Sequence, residues 1–273
     1  MENFILHNGV SIPSIGYGTW QNAREDMVVY ALQHGYRHID TAASYHNEDM
    51  VGCALRKSGI KREECFLVSK LWNSRRGYHA ALKAFEETLD ALQTEYLDMY
   101  LIHWPCVQGE NANDVNRDTW MALEELYGKG KIRAIGVSNF QPKHLEPLLQ
   151  TAKILPAVNQ IEYHPGYAQK EAFSYNREKN ILTEAWAPLG SGAVLDLRLL
   201  NELGCKYGRS PAQICLRWCL QQGILPLVKS TTLSRILENI EIFDFSIEDN
   251  DMAAIDALPE TGFSGLHPDT VPF

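Results

Sequence analysis

The chain predicts an α/β fold of the (β/α)8, or TIM-barrel, kind, and three observations carry that prediction. Strand-like and helix-like segments alternate from end to end of its 273 residues. Eight segments read as strands, several of them unbroken apolar runs of the sort buried on both faces of a parallel sheet. Eight βα units in about 250 residues are the dimensions of such a barrel. The rival is a doubly wound sheet, which usually carries a Gly-rich turn after its first strand. Here Gly16-Tyr17-Gly18-Thr19-Trp20 lacks the third glycine, and Gly128-Lys129-Gly130 precedes a strand instead of following one.

The elements follow in order. Phe4–Leu6 and Val10–Ile12 around Asn8-Gly9 form a hairpin signal. A hairpin ahead of the first barrel strand can plug the barrel's bottom. The first barrel strand is Ser14–Gly18, followed by Tyr36–Ile39 and Phe66–Ser69. In His79–Gln93, Leu82, Phe85, Leu89 and Leu92 recur at helical spacing. The strand Tyr96–Ile102 comes next, then a helix over Asp118–Tyr127 marked by Trp120, Leu123, Leu126 and Tyr127. Strands Ile132–Val137, Ala157–Ile161 and Leu182–Trp186 continue the series. Leu199–Tyr207 reads as an extra helix. After it, Ser210 can cap a helix in which Pro211 takes the first position and Gln213 completes a capping box, with Ile214 and Trp218 on the buried face. Ile224–Val228 is the eighth strand, and a helix begins near Thr232. The longest irregular stretches, Trp104–Arg117 and Ala187–Asp196, both follow strands and are candidate substrate loops. No linker or low-complexity segment interrupts residues 1–273, so one domain is expected.

Composition narrows the class. Apolar residues make up 45% and charged residues 22%, the balance of a soluble globule. A net charge of −9 disfavours nonspecific nucleic-acid binding, while leaving room for a local basic pocket. No apolar run approaches a membrane span, and Met1-Glu2-Asn3-Phe4 lacks the marks of a signal peptide. The six cysteines, Cys53, Cys65, Cys106, Cys205, Cys215 and Cys219, show no metal-ligand spacing. They read as buried thiols of a cytoplasmic chain, with Cys215 and Cys219 four apart on a helix. No metal is expected.

Four polar residues carry the chemistry. Asp40, Tyr45, Lys70 and His103 lie at or just past the ends of three successive strands. In a parallel barrel the active site lies at the carboxyl ends of the strands. A phenol with a pKa near 10 is a poor acid at neutral pH. A nearby ammonium, from Lys70, should lower that pKa, and Asp40 can keep the buried lysine charged. Tyr45 would then protonate an oxygen that becomes negative, with His103 orienting it. Taken singly, each residue reads as well as a cap, a core aromatic, a solvated charge or a loop histidine; their joint placement favours a site. Trp20, Trp72 and Trp104 follow the first, third and fourth strands and suggest an aromatic-lined mouth. The tip of the loop Cys106–Arg117, with Glu110 and Asp114, reads as solvated.

These residues also stand in familiar motifs. Gly35-Tyr36-Arg37-His38-Ile39-Asp40-Thr41-Ala42, with Tyr45, Glu48 and Val51-Gly52, resembles the first signature of the aldo-keto reductases. Lys70 in Leu67-Val68-Ser69-Lys70-Leu71-Trp72 and His103 in Leu101-Ile102-His103-Trp104-Pro105 resemble the family's other catalytic positions. Ile135-Gly136-Val137-Ser138-Asn139-Phe140 is similar to its central motif. Leu227-Val228-Lys229-Ser230, with Arg235, Glu238 and Asn239, is similar to its cofactor motif. The similarity runs from about Gly9 to Phe245.

The resemblance implies a barrel, an NADP(H) cofactor and hydride transfer to an aldehyde or ketone. Tyr45 would be the proton donor, Lys70 and Asp40 its tuning pair, and His103 the orienting group. Family members that reduce a carbon–carbon double bond carry glutamate at that last position, so His103 favours carbonyl chemistry. A helix start after the eighth strand is a ready phosphate site, and Lys229 with Arg235 suggests a 2′-phosphate. By resemblance, Glu238 and Asn239 would meet the adenine, Ser138, Asn139 and Gln160 the nicotinamide carboxamide, and Trp186 the nicotinamide face. Thr19, Trp20, Asp40, Ala187, Pro188, Leu189, Ser230 and Thr231 complete the implied cofactor set. Trp20, Tyr45, Trp72, His103 and Trp104 form the implied substrate set. The short tail Gly262–Phe273 fits bacterial-type members that reduce small aldehydes, α-keto acids, dicarbonyls or keto-sugars. The expected partner is a small carbonyl compound, on a monomer or weak homo-oligomer. Rival readings are a Schiff-base aldolase on Lys70, a metal hydrolase and a catalytically slow nucleotide sensor.

Overall fold

The computed structural model describes residues 3–106 and 111–271. Glu110 and Pro272-Phe273 lie outside the described residues, and so do the expectations placed on them. The chain opens with a hairpin, β1 (Asn3–Ile5) and β2 (Ser11–Pro13), in register Phe4 against Ile12. Eight parallel strands then close a barrel: β3 (Gly16–Gly18), β4 (His38–Asp40), β5 (Phe66–Leu71), β6 (Leu97–Ile102), β7 (Ile132–Ser138), β8 (Val158–Glu162), β9 (Leu182–Trp186) and β10 (Leu225–Val228). The fold is the expected TIM barrel, with the strands in sequence order and β10 pairing with β3 to close it.

Helices α1 (Glu25–Gln33), α2 (Glu48–Ser58), α3 (Tyr78–Leu92), α4 (Ala112–Gly128), α5 (Pro142–Leu149) and α6 (Lys170–Glu178) follow β3 to β8 in turn. Two helices, α7 (Arg198–Tyr207) and α8 (Pro211–Gln221), precede β10. Then come α9 (Leu233–Ile240) and α10 (Asp249–Asp256). The cap at Ser210 forms as expected, with Ser210 and Gln213 bonded reciprocally. Helix α4 starts six residues before the expected Asp118, so the loop after β6 is shorter than the sequence suggested. Its first turns are mostly polar and only partly buried, and carry no apolar stripe to read.

The hairpin plugs the bottom of the barrel. Leu6 and Ile12 pack with Phe66, Val68, Met99, Leu101, Val158, Leu225 and Leu227, the inward residues near the strand starts. His7 lies 3.3 Å from the Pro156 carbonyl, and Asn8 donates to the Arg133 carbonyl at 3.0 Å, just before or at the starts of the neighbouring strands. Burying such aliphatic side chains contributes about 1.5–3 kcal/mol each. At Gly136 a Cβ would lie 2.7 Å from both the Val158 carbonyl and Leu101, so the wall there admits only glycine. The cysteine expectation needs correction. Cys65, Cys215 and Cys219 are buried, but Cys53 and Cys106 are half-buried and Cys205 is exposed. Cys205 sits on the outer face of α7, where no core reaches it.

Candidate active site

Side chains alternate along a strand, so each inward row steps by two. On β5 the row is Phe66, Val68, Lys70; on β6 and just past it, Met99, Leu101, His103. On β4 it is His38, then Asp40. The apolar members pack on the plug, and the polar members emerge together at the carboxyl ends. Ile39, Leu67 and Leu71, the odd members, face the helices.

The structure brings Asp40, Tyr45, Lys70 and His103 into one cluster. The Lys70 ammonium has three donors and uses all three. It donates to Asp40 Oδ1 at 2.6 Å, to the Thr41 carbonyl at 3.0 Å and to Tyr45 Oη at 3.2 Å. Lys70 is 0% exposed. Burial works against its charge, but Asp40 and Tyr45 outweigh it, and its pKa lies above the ordinary value. Tyr45 accepts from the ammonium, so its own O–H is free to donate elsewhere. The expectation of a lowered phenol pKa is not met. Burial raises it, Asp40 adds to the rise, and Lys70 offsets only part. Tyr45 is therefore a protonated phenol at neutral pH. His103 is driven the other way, well below its usual range, first by burial and then by the Lys70 and Arg76 charges. It is a neutral imidazole.

Aromatic rings surround His103. Tyr45 and Trp72 meet it edge-on at 5.7 and 5.3 Å, and Trp104 stacks at 6.4 Å. Trp72 is half-buried, Trp104 is 4% exposed and Trp20 is 52% exposed. The three indoles thus differ sharply in how far they reach solvent.

The residues expected to meet a cofactor fall into two groups. Near the cluster, Gln160 Nε2 donates to Asp40 Oδ2 at 3.0 Å. Ser138 donates to the Gln160 carbonyl at 2.8 Å, and Thr19 to the Asp40 carbonyl at 2.9 Å. Asn139 adopts φ +64°, which Asn tolerates. Its amide donates to the His103 carbonyl at 3.0 Å and its oxygen accepts from the Trp186 indole at 2.8 Å. Ala187, next to Trp186, also sits at φ +49°, a strained place for a residue with a Cβ. Trp186, Ala187 and Leu189 are half-buried, and Pro188 is buried. Farther off, Lys229, Thr231 and Arg235 are exposed around the start of α9, while Ser230 and Asn239 are buried and Glu238 is half-buried. The Tyr17 hydroxyl donates to the Ser230 carbonyl at 2.5 Å and fixes this turn. No ion pair engages Lys229 or Arg235 among the described residues, so both cations face solvent unneutralised.

Sequence reasoning missed several members. Ser44 Oγ lies 3.3 Å from His103 Nδ1. Asn47 ties Thr19, Asn22 and Thr41 together. His38 and Glu184, both 0% exposed, face each other inside the barrel at 3.4 Å. A charged residue in the middle of the buried strand Leu182–Trp186 was the visible signal for Glu184. Among the described residues no group of three or more His, Cys, Asp or Glu is arranged to hold a metal, and no helix is long and apolar enough to cross a membrane.

Comparison with known proteins agrees with this fold. Residues 14–260 match the model of the Aldo/keto reductase family. The glyoxal reductase of Bacillus subtilis is 48% identical over 98% of this chain and 96% of its own length. The methylglyoxal reductase DkgA of Escherichia coli is 39% identical over 97% and 96%. A crystallised variant of Gox0644 in complex with NADPH superposes with a TM-score of 0.92 at 39% identity, covering 100% of this chain and 99% of that one. A match this long, on a barrel of this construction, means that the chain belongs to the aldo/keto reductase family.

Proposed function

We propose that the chain is an NADPH-dependent reductase of small aldehydes and dicarbonyls, with Tyr45 as proton donor. One observation carries this reading: the Lys70 ammonium spends its third donor on Tyr45 Oη, at 3.2 Å, which leaves the phenolic hydrogen to point at a substrate oxygen. Only Tyr45 suits the role of acid. His103 is neutral and a poor proton source, and Lys70 is locked by three acceptors. As negative charge grows on the substrate oxygen, the phenol yields its proton. The phenolate left behind is the group that the Lys70 charge stabilises, because it is already in contact. With the Ser44 hydroxyl as donor to Nδ1, neutral His103 would present Nε2–H as its remaining donor and orient the carbonyl.

The residues fit a dinucleotide phosphate. The exposed, unneutralised pair Lys229 and Arg235 suits a 2′-phosphate at the start of α9. Glu238 and Asn239 would meet the adenine. Ser138, Asn139 and Gln160 would hold the carboxamide, and Trp186 would lie against the nicotinamide, beside Ala187, Pro188 and Leu189. The bound nicotinamide supplies hydride; the protein supplies orientation and the proton. Trp20, Trp72 and Trp104 would bound the substrate. The relatives that reduce glyoxal and methylglyoxal support short dicarbonyls as the substrate class.

The direct test is the loss of reduced-nicotinamide absorbance with a panel of glyoxal-type dicarbonyls, small aldehydes, keto acids and keto-sugars. Turnover fastest with dicarbonyls supports the reading. Tight NADPH binding without turnover on any of them would leave the sensor reading instead. Borohydride trapping with a keto substrate addresses the aldolase rival, which requires an adduct on Lys70. Arg235→Ala is expected to weaken NADPH by roughly tenfold or more, the scale of a lost charge-assisted hydrogen bond, while NADH changes little.

A further inference from the structure

A primary amide has two N–H donors and one oxygen, and the way it points is set by what accepts those hydrogens. Gln160 is 2% exposed on β8. Its Nε2 faces two carboxyl groups at once: Asp40 Oδ2 at 3.0 Å and Glu184 Oε2 at 2.7 Å. Turning the amide over would set its oxygen against both acids. From this shared amide we infer that Glu184 is a positioning residue for the cofactor: it locks Gln160 so that Oε1 is always presented as an acceptor to the carboxamide N–H of the nicotinamide. The inference rests on the proposed cofactor reading and assigns a role to a residue that stands below the reacting atoms.

Asp40 alone cannot hold the amide. It already binds Lys70 through Oδ1, and one acceptor leaves the second N–H of Gln160 unmatched in a dry interior. Glu184 supplies the second acceptor from the adjacent strand, where Gln160 and Glu184 are register partners. Its other oxygen, Oε1, faces His38 Nε2 at 3.4 Å from across the barrel. A neutral acid suits this place. Its carbonyl oxygen accepts from Gln160 and its hydroxyl faces the imidazole. Burial, reinforced by Asp40, raises Glu184 to about 8, in keeping with that form. His38 Nε2 and Glu184 Oε1 are close buried neighbours that make no hydrogen bond to each other, and the His38 ring fills the barrel against Gly16, where a Cβ would lie 2.9 Å from Nδ1.

The experiment uses binding alone, read by tryptophan fluorescence, with three ligands: NADP+, its 3-acetylpyridine analogue, and 2′-phospho-ADP-ribose. The analogue has a methyl ketone in place of the amide and so has no N–H to offer Gln160. The wild type should prefer NADP+ over the analogue by roughly tenfold, the scale of one unpaired acceptor. Glu184→Met keeps the side chain's length but offers no oxygen; the preference should fall to twofold or less. Glu184→Gln keeps an acceptor oxygen and should restore it. All three proteins should bind 2′-phospho-ADP-ribose alike, since it has no nicotinamide. An undiminished preference in Glu184→Met, or an equal loss for the nicotinamide-free ligand, overturns the inference. If the wild type binds none of the three, the cofactor reading itself has failed. A wild-type measurement guards against a variant that does not fold. In the ligand-free protein the two Gln160 Nε2 hydrogens should give separate, exchange-protected NMR signals, and a rapidly exchanging pair would equally sink the inference.

Discussion

The two ends of the barrel interior are built on the same strands from opposite chemistries. At the lower end β5 and β6 contribute Phe66, Val68, Met99 and Leu101, which close on Leu6 and Ile12 of the hairpin. Two residues farther along, the same rows contribute Lys70 and His103. The inward rows at the lower end are apolar and serve cohesion. The upper end concentrates an ammonium, a carboxylate, a phenol and an imidazole in one place and gives up packing to do so. The difference teaches that stability and reactivity are separated along each strand by about two residues, roughly 7 Å. It also shows where the separation is incomplete: His38 and Glu184 carry polarity down into the barrel through Gln160.

The largest effect should come from the upper end. Tyr45→Phe removes the proposed proton donor and keeps the ring. Turnover is expected to fall by roughly 10²–10⁴-fold, the scale of lost general-acid catalysis, with NADPH affinity nearly unchanged. Steady-state rates with a fluorescence titration of the cofactor check it; an unaltered kcat would remove Tyr45 from the chemistry. The opposite signature is expected at the lower end. Ile12→Ala, at a fully buried site, should cost about 2–5 kcal/mol of stability in urea unfolding and leave kcat unchanged. If kcat fell in step with stability, the two ends would not be independent.

Between them, the His38–Glu184 layer should titrate with folding. Glu184 is raised from 4.5 to about 8 by burial and then by Asp40. Between those values the folded chain keeps a proton that the unfolded chain releases, so stability should fall as pH rises, at up to about 1.4 kcal/mol per pH unit for one proton. His38, lowered from 6.5 to about 3 by burial and then by Lys70, acts in the opposite sense and is spent above pH 6.5. The clean window is therefore pH 6.5 to 8. The groups facing Glu184 are Asp40 and His38 from β4, Lys70 from β5 and Gln160 from β8. Glu184→Gln cannot titrate and should be flatter across that window in unfolding experiments. Equal slopes for both proteins would mean that Glu184 is already ionised in the folded state.

Much of this was legible in the sequence, and for a physical reason. Buried parallel strands announce themselves as apolar runs, so a polar residue at the end of one stands out; that is how Asp40, Lys70 and His103 were found. Ser210, Pro211 and Gln213 were readable because a capping box is local. What was not legible depends on distance in the chain or on balance between opposed terms. Ser44 and His103 lie 59 residues apart, and no local rule joins them. The sign of the Tyr45 shift turned on burial against a cation, and only the closed barrel shows how deep the phenol lies. Glu184 was passed over because it stands in mid-strand, where sequence offers no partner for it.

The smallest effect concerns that unread contact at the upper end. A neutral imidazole has one donor and one acceptor nitrogen, and its neighbours decide which is which. Ser44 can donate to Nδ1, and the donor hydrogen then sits on Nε2, the nitrogen left to meet a substrate. At 3.3 Å the bond is long, and the tautomer it favours is also available without it. Ser44→Ala should therefore lower kcat/KM only a few-fold, the scale of one net hydrogen bond, chiefly through kcat. Ser44→Thr keeps the hydroxyl and should recover most of the loss. Because the residue is half-buried and tied to no core group, thermal stability should scarcely change. A few-fold loss in Ser44→Ala that Thr repairs, set beside the much larger loss in Tyr45→Phe, would rank the two ring contacts of His103 by function: one moves the proton, the other only aims the imidazole. An equal loss in both serine variants would place the effect in local packing and take Ser44 out of the site.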